Sequence, residues 1–287
     1  LKIKATSQVL GVIGDPIAHS FSPDMHNAAI DALGIDFCYV AFRVKSEGVG
    51  AVVKGLREFG ILGLNVTIPH KLAVMEHVDQ ISEEALAVGA VNTIHNEDGN
   101  LTGHNTDVYG VTTAIERVAG LTTFPETCVV LGAGGASRAV TYALGRRDEV
   151  RKVMILNRTF SRAEALAVDM EKITGKSIVP AALDQASERA AFGDAGLVVN
   201  TTSVGMHPNT EHSPIIDTDS IRPDLVLYDT VFNPIETAIM QQFKEKGAPA
   251  YGGLDMLVFQ GARSFEIWTG TEPPTDLMKQ AVVGRFS

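Results

Sequence analysis

The segment from Thr127 to Ala139 constrains the chain most. Thr127-Cys128-Val129-Val130-Leu131 is a short apolar run, and Gly132-Ala133-Gly134-Gly135-Ala136-Ser137-Arg138-Ala139 leads from it into a helical pattern reaching about Leu144. A strand that turns through glycines directly into a helix is the first half of a βαβ unit. A parallel sheet covered by helices is therefore expected. The glycines permit a tight bend and a close backbone approach, and free N–H groups at the helix start favour an anion such as a pyrophosphate. Ser137 stands where the third glycine of G-x-G-x-x-G would fall, so that pattern is met only in part.

The next strand, Val153-Met154-Ile155-Leu156, ends in Asn157-Arg158-Thr159. An NAD site would place an acid here for the ribose hydroxyls, and none is present. Instead Arg158 and Arg162 flank the start of a helix, with Ser161 and Glu164 at capping-box spacing. Two guanidinium groups at this place match a ribose 2′-phosphate, so the expected cofactor is NADP. Two further strands, Leu197 to Met206 and Leu225 to Asp229, have polar C-terminal ends that supply Thr201 and Thr230. The cofactor set is completed by Gly253, ahead of a last helix from Leu254 to Trp268 on which Met256, Gln260 and Ser264 recur every four residues. Gln260 could thus face inward.

The first hundred residues read as a second α/β region. Val9-Leu10-Gly11-Val12-Ile13-Gly14 is strand-like, and Ser22-Pro23 opens a helix that runs to Gly34, with Ser22 as its expected N-cap. Ser20 and Ser22 flank that helix start, a suitable seat for a carboxylate. Phe37 to Val44 reads as a strand and Ser46 to Phe59 as a helix. Leu64-Asn65-Val66-Thr67-Ile68 is then a short strand stopped by Pro69, with Asn65 and Thr67 on one face and Lys71 just beyond. An amide, a hydroxyl and an ammonium gathered at one strand mouth suit a ligand rich in hydroxyls. Gly89 to Ile94 reads as a strand containing Asn92, Glu97-Asp98-Gly99-Asn100 as a hairpin turn, and Asp107 as the opening of a helix. An aspartate near Lys71 would orient its amine, which makes the two a candidate acid-base pair.

The chain has 287 residues, enough for two domains, and its hydrophobic fraction of 45% allows a substantial core. A net charge of −10 argues against nucleic acid as a partner. Cys38 and Cys128 stand far apart in no metal-binding or redox spacing, so buried thiols in a reducing, cytoplasmic setting are expected, with no metal. No apolar run reaches membrane-spanning length, and Asp15 interrupts the first one before a signal core is complete.

In order and spacing the segments resemble the shikimate dehydrogenase family over nearly the whole length. Those that carry the resemblance are Pro16 to Pro23, Asn65-Val66-Thr67-Ile68-Pro69-His70-Lys71, Gly89-Ala90-Val91-Asn92-Thr93, Asn105-Thr106-Asp107, Gly132 to Ala136, Asn157-Arg158-Thr159 with Arg162, and Gly253 to Leu257 with Gln260. The resemblance implies a two-domain α/β fold: an N-terminal substrate domain over 1–107, a Rossmann-like NADP domain with a parallel sheet over 108–252, and helices over 253–287 returning to the first domain, with a cleft that closes on the ligands. It implies NADPH-dependent reduction of 3-dehydroshikimate to shikimate by a monomer or homodimer. By position, Ser20 and Ser22 would hold the carboxylate. Thr67, Asn92, Asp107 and Gln260 would hold hydroxyls beside Asn65, with Lys71 catalytic. Phe232 stands where the family often has tyrosine, which removes one hydroxyl donor, and His70 has no expected role. A quinate/shikimate dehydrogenase and a non-catalytic metabolite sensor on the same fold are the alternatives.

Overall fold

A computed structural model describes residues 2–286. The chain forms two compact units, one from residues 1–106 with 258–287, the other from 107–257.

The first unit opens with β1 (Gln8–Gly14), α1 (Ser22–Leu33), β2 (Phe37–Arg43), α2 (Val49–Glu58) and β3 (Gly63–Val66). β4 (Gln80–Ile81), α3 (Glu83–Val88), β5 (Thr93–Glu97) and β6 (Asn100–His104) follow. The six strands lie in the order β2-β1-β3-β5-β6-β4. β1 runs parallel to β2 and β3, whereas β5 is antiparallel to both β3 and β6. The hairpin between β5 and β6 turns at Asp98 and Gly99, both with positive φ, which is the backbone twist that a two-residue hairpin favours. One face of the sheet packs Ile13, Leu64, Val66 and Ile94 against Val49, Val53 and Leu56 of α2. The other face carries Tyr39, Asn65 and Thr93.

Three local expectations change here. Helix α1 starts at Ser22 itself, after Phe21, and no side chain caps it; Ser20 Oγ accepts the Ser22 N–H at 3.2 Å instead. Ser20 therefore has the local backbone duty that the sequence pattern suggested for Ser22. Strand β3 ends at Val66, so Thr67 lies just past it, although its N–H still donates to Ile13 O. Residues 89–92 form a loop, because Gly89 in the left-handed conformation closes α3 and delays β5 until Thr93.

The second unit contains α4 (Asp107–Arg117), β7 (Thr127–Leu131), α5 (Gly135–Gly145), β8 (Lys152–Asn157), α6 (Phe160–Thr174) and β9 (Ser177–Ala182). It continues through α7 (Gln185–Asp194), β10 (Leu197–Asn200), β11 (Val226–Asp229), α8 (Ala238–Glu245) and β12 (Ala250–Tyr251). Its sheet has the order β12-β11-β10-β7-β8-β9 and is parallel throughout. The chain builds outward from β7 through β8 to β9, then returns to β7's other side with β10. The switch in direction lies between β7 and β10, where open parallel sheets form their ligand crevice at the strand C-termini. The capping box expected at Ser161 is not made: α6 starts at Phe160, Thr159 is its N-cap, and no side chain caps it. Helix α9 (Leu254–Thr269) crosses the division between the units, and α10 (Thr275–Val283) follows.

Candidate active site

In the second unit the glycine turn sits at the end of β7. Gly132 has φ +107°, and a Cβ there would lie 2.8 Å from Thr201 Oγ1, so both conformation and space require glycine. A Cβ on Gly134 or Gly135 would meet no heavy atom within 4 Å, which leaves open room above the start of α5. Ala133 and Ala136 are half-buried beside them. Ser137 is fully buried and explains its own presence. It accepts the Gly134 N–H at 3.0 Å and donates to Thr201 Oγ1 at 2.6 Å, while Thr201 donates to Leu131 O at 2.6 Å. One directed chain of hydrogen bonds thus ties the turn to the ends of β7 and β10. An open turn at a helix N-terminus fits a pyrophosphate.

At the end of β8, Asn157 Nδ2 donates to Thr159 O at 2.9 Å, which holds the turn where Arg158 and Arg162 stand exposed. The expected basic pair is solvent-facing. At the end of β11, Thr230 N donates to Asn200 O, and Gly253 N donates to Val231 O. A Cβ on Gly253 would fall 2.2 Å from Thr230 O, so the chain can pass there only as glycine.

Beside these lies a buried carboxylate that the sequence analysis did not single out. Asp229 accepts from Asn200 Nδ2 at 2.9 Å, from Val231 N at 3.0 Å and from Thr237 Oγ1 at 2.6 Å. Burial pushes its carboxyl up to about 6, against the pull of those three donors. Asn200 Oδ1 in turn accepts from Thr202 N and Oγ1. The loops after β10 and β11 are pinned to one another through this group.

In the first unit two of the expected ligand residues, Asn65 and Asn92, meet in a buried polar layer. Asn65 Nδ2 donates to Ser264 Oγ at 3.0 Å and Thr93 Oγ1 at 3.1 Å, and Asn65 Oδ1 accepts from Tyr39 Oη at 2.7 Å. Thr93 donates to Asn92 Oδ1 at 3.0 Å, which also accepts the Thr106 N–H at 2.8 Å; Asn92 Nδ2 donates to Thr106 Oγ1. Asn92 is thereby oriented by the residue that precedes Asp107. Asp107 itself opens α4 and is buried. Gln260 is half-buried on α9, and its carbonyl accepts from Ser264 Oγ at 3.1 Å. Ser22 is buried, while Ser20, Thr67 and Lys71 are half-buried.

His70 has a use after all. Buried, it donates from Nε2 to Val44 O at 2.7 Å, and its own N–H donates to Thr67 O. With Lys71 O accepting from Val91 N at 2.9 Å, the turn that carries the lysine is held on both sides.

The residues that sequence reasoning passed over are Tyr39, Thr93, Thr106 and Asp229. Ser264 was visible only as a position four residues after Gln260.

A doubly wound parallel sheet with an open glycine turn at its switch point defines an α/β dinucleotide-binding protein. Family models describe residues 12–94 as a shikimate dehydrogenase substrate binding domain, 116–213 as shikimate / quinate 5-dehydrogenase, and 253–283 as a shikimate 5'-dehydrogenase C-terminal domain. A shikimate dehydrogenase (NADP(+)) of Methanocaldococcus jannaschii is 40% identical over 99% of this chain and 99% of its own. Among solved structures, a shikimate dehydrogenase in complex with NADP+ superposes with a TM-score of 0.93 at 39% identity, covering 100% of this chain and 98% of that one. A shikimate 5-dehydrogenase from Listeria monocytogenes, in complex with shikimate and NAD, gives 0.92 at 34% identity over 98% of each chain. The chain belongs to the shikimate dehydrogenase family. Among the described residues, no helix is long and apolar enough to cross a membrane.

Proposed function

We propose that this protein catalyses the reversible NADPH-dependent reduction of 3-dehydroshikimate to shikimate, a step toward the aromatic amino acids. The observation that carries the reading is full-length kinship with NADP-linked shikimate dehydrogenases, together with an exposed arginine pair and no acid at the end of β8. Residues 1–106 with 258–287 are assigned to substrate, and residues 107–257 to cofactor. The enzyme acts on a small molecule as a monomer or homodimer, with no nucleic-acid or membrane partner. A cytoplasmic setting suits its two buried free thiols, Cys38 and Cys128.

When bound, the nicotinamide supplies a hydride to the carbonyl carbon of the substrate. The Lys71 ammonium gives a proton to the oxygen on which negative charge develops, and Asp107 orients that ammonium. Ser20 and Ser22 hold the carboxylate: Ser20 Oγ accepts the Ser22 N–H, which leaves its own proton for the ligand. Thr67, Asn92 and Gln260, beside Asn65, hold the ring hydroxyls. Gly132 to Ala136, with Thr201, Thr230 and Gly253, cradle the dinucleotide. Asn157 and Thr159 shape the turn from which Arg158 and Arg162 reach the 2′-phosphate.

Steady-state oxidation of shikimate and of quinate, each with NADP and with NAD, tests the reading. Preferred turnover of shikimate with NADP is expected. Comparable turnover of quinate would make it a quinate/shikimate dehydrogenase, a possibility raised by Phe232, and no turnover of either would overturn catalysis.

A further inference from the structure

On the cofactor reading above, the dinucleotide has a direction on the second sheet. The arginine pair assigned to its 2′-phosphate stands at the end of β8, and the open glycine turn assigned to its pyrophosphate follows β7. β8 lies on one side of β7, while β10 and then β11 lie on the other. On that assignment the nicotinamide half extends over the C-terminal ends of β10 and β11, beyond the switch point. Asn200 and Asp229 are the last residues of those two strands and stand opposite one another in the register.

What these two strand ends hold is a buried negative charge. Asp229, Asn200 and Thr237 are all 0% exposed. Asp229 Oδ1 accepts from the Val231 N–H and from Asn200 Nδ2, and the Thr202 N–H on Asn200 Oδ1 fixes which way that amide points. Oδ2 accepts the Thr237 hydroxyl at 2.6 Å. Thr237 is the N-cap of α8, yet its side chain caps nothing; the hydroxyl goes to the carboxyl group instead. A carboxyl group that accepts on both oxygens and donates from neither is a carboxylate. Burial raises its proton affinity only to about 6, so the charge persists above neutral pH. Among the described residues no lysine, arginine or histidine pairs with Asp229, and the charge is left uncancelled at close range.

We propose that Asp229 is a fixed counter-charge for the oxidised nicotinamide, which raises the affinity for NADP+ relative to NADPH. The ring of NADP+ is a cation and that of NADPH is neutral, while the rest of the two molecules is alike. A buried charge is little screened by solvent or salt, and it tells the two apart through the ring alone. Once a hydride and its electron pair have passed to the substrate carbon, the charge left behind is the one that Asp229 favours.

Asp229→Asn removes the charge and keeps the shape: Oδ1 can still accept from Asn200 and Val231, with Nδ2 turned to Thr237 Oγ1 as acceptor. Thr237→Val is its counterpart, removing one hydrogen bond and leaving the charge. The test is calorimetric titration of wild type and both variants with NADP+ and with NADPH, at pH 8 and fixed salt, without substrate. Asp229→Asn is expected to weaken NADP+ at least about fivefold more than NADPH. Thr237→Val is expected to change both affinities by the same factor, to within about twofold. Equal losses for the two cofactor forms in Asp229→Asn, or a ratio shifted as far by Thr237→Val, would make the group merely structural and overturn the proposal. For a variant too unstable to titrate, the rise in unfolding midpoint that each form produces reports the same ratio. Wild type that binds neither form would refute the cofactor reading itself, and this proposal with it.

Discussion

The indole of Trp268 occupies the space a side chain would need at Gly63. A Cβ at Gly63 would lie 2.1 Å from Trp268 Nε1 and 2.4 Å from Cδ1, and that Nε1 donates to Ile94 O at 2.9 Å. The missing side chain on β3 is what lets α9 lie against the sheet and reach a carbonyl on β5. Gly63→Ala must displace the indole and break this bond, a loss of about 2–4 kcal/mol from overpacking plus one hydrogen bond. On a Trp268→Leu background the same substitution should cost less than about 1 kcal/mol, because the colliding ring is gone. Urea unfolding of the four proteins measures both, and equal costs on the two backgrounds would contradict the steric account.

Lys71→Ala removes the proposed proton donor while leaving the turn intact, since His70 and the Lys71 carbonyl hold the turn. Turnover should fall by roughly 10²–10⁴-fold with cofactor affinity little changed. Asp107→Asn keeps the shape and removes the charge, so kcat should fall there as well. Near-normal single-turnover hydride transfer in Lys71→Ala would exclude the lysine as the acid.

Arg158→Ala removes an exposed guanidinium at the end of β8. Charge-assisted contacts to a 2′-phosphate contribute about 1.5–3 kcal/mol each. KM for NADP should therefore rise roughly tenfold or more while KM for NAD stays level. Adding Arg162→Ala should narrow the preference further, by less than the sum of the two effects, because both groups would share one phosphate. The readout is KM for each cofactor at fixed shikimate and salt; parallel losses for the two would mean the arginines merely support the fold.

His26 makes the fold sensitive to acid. Burial lowers its proton affinity from the ordinary 6.5 to about 3, only partly opposed by Asn65. Below about pH 6.5 the unfolded chain takes up a proton that the folded chain refuses, so stability is lost as pH falls from there toward 3. His26→Phe can retain the stack on Tyr39 and cannot titrate. Between pH 7 and pH 5 the wild type should lose about 2 kcal/mol more than His26→Phe, by unfolding in urea. Comparing the two proteins cancels the groups they share, such as Asp229, whose raised affinity acts in the opposite direction. Identical losses would show that His26 is not buried uncharged.

Short-range patterns were readable in the sequence, long-range ones were not. The apolar run before Gly132, the glycines, and the hairpin at Asp98 and Gly99 each state a backbone requirement within a few residues. Ser137 was legible only as a departure from a pattern; its reason is Thr201, on a strand far along the chain. Ser20 rather than Ser22 accepts a backbone N–H because a helix start can shift by a residue without altering the local composition. The polar layer behind the site joins Asn65 to Ser264 across 199 positions. No periodicity carries such a pairing, so Tyr39 and Thr93 looked like ordinary strand residues until the sheet order set them side by side.

Helix α9 has a bearing on how the protein is made. The partners that complete the first sheet, Ser264 for Asn65 and Trp268 for Ile94, come after residues 107–257. On a ribosome adding about 5–20 residues per second, those roughly 150 residues separate β6 from α9 by about 8–30 s. For that interval the nascent first unit lacks Ser264 over its polar layer and displays the bare cleft over Gly63, and by its end the second unit has every strand of its own sheet. A chain broken off just after residue 257 would therefore carry every strand of the second sheet beside a first sheet that lacks Ser264 and Trp268, a species for chaperones and proteases to meet.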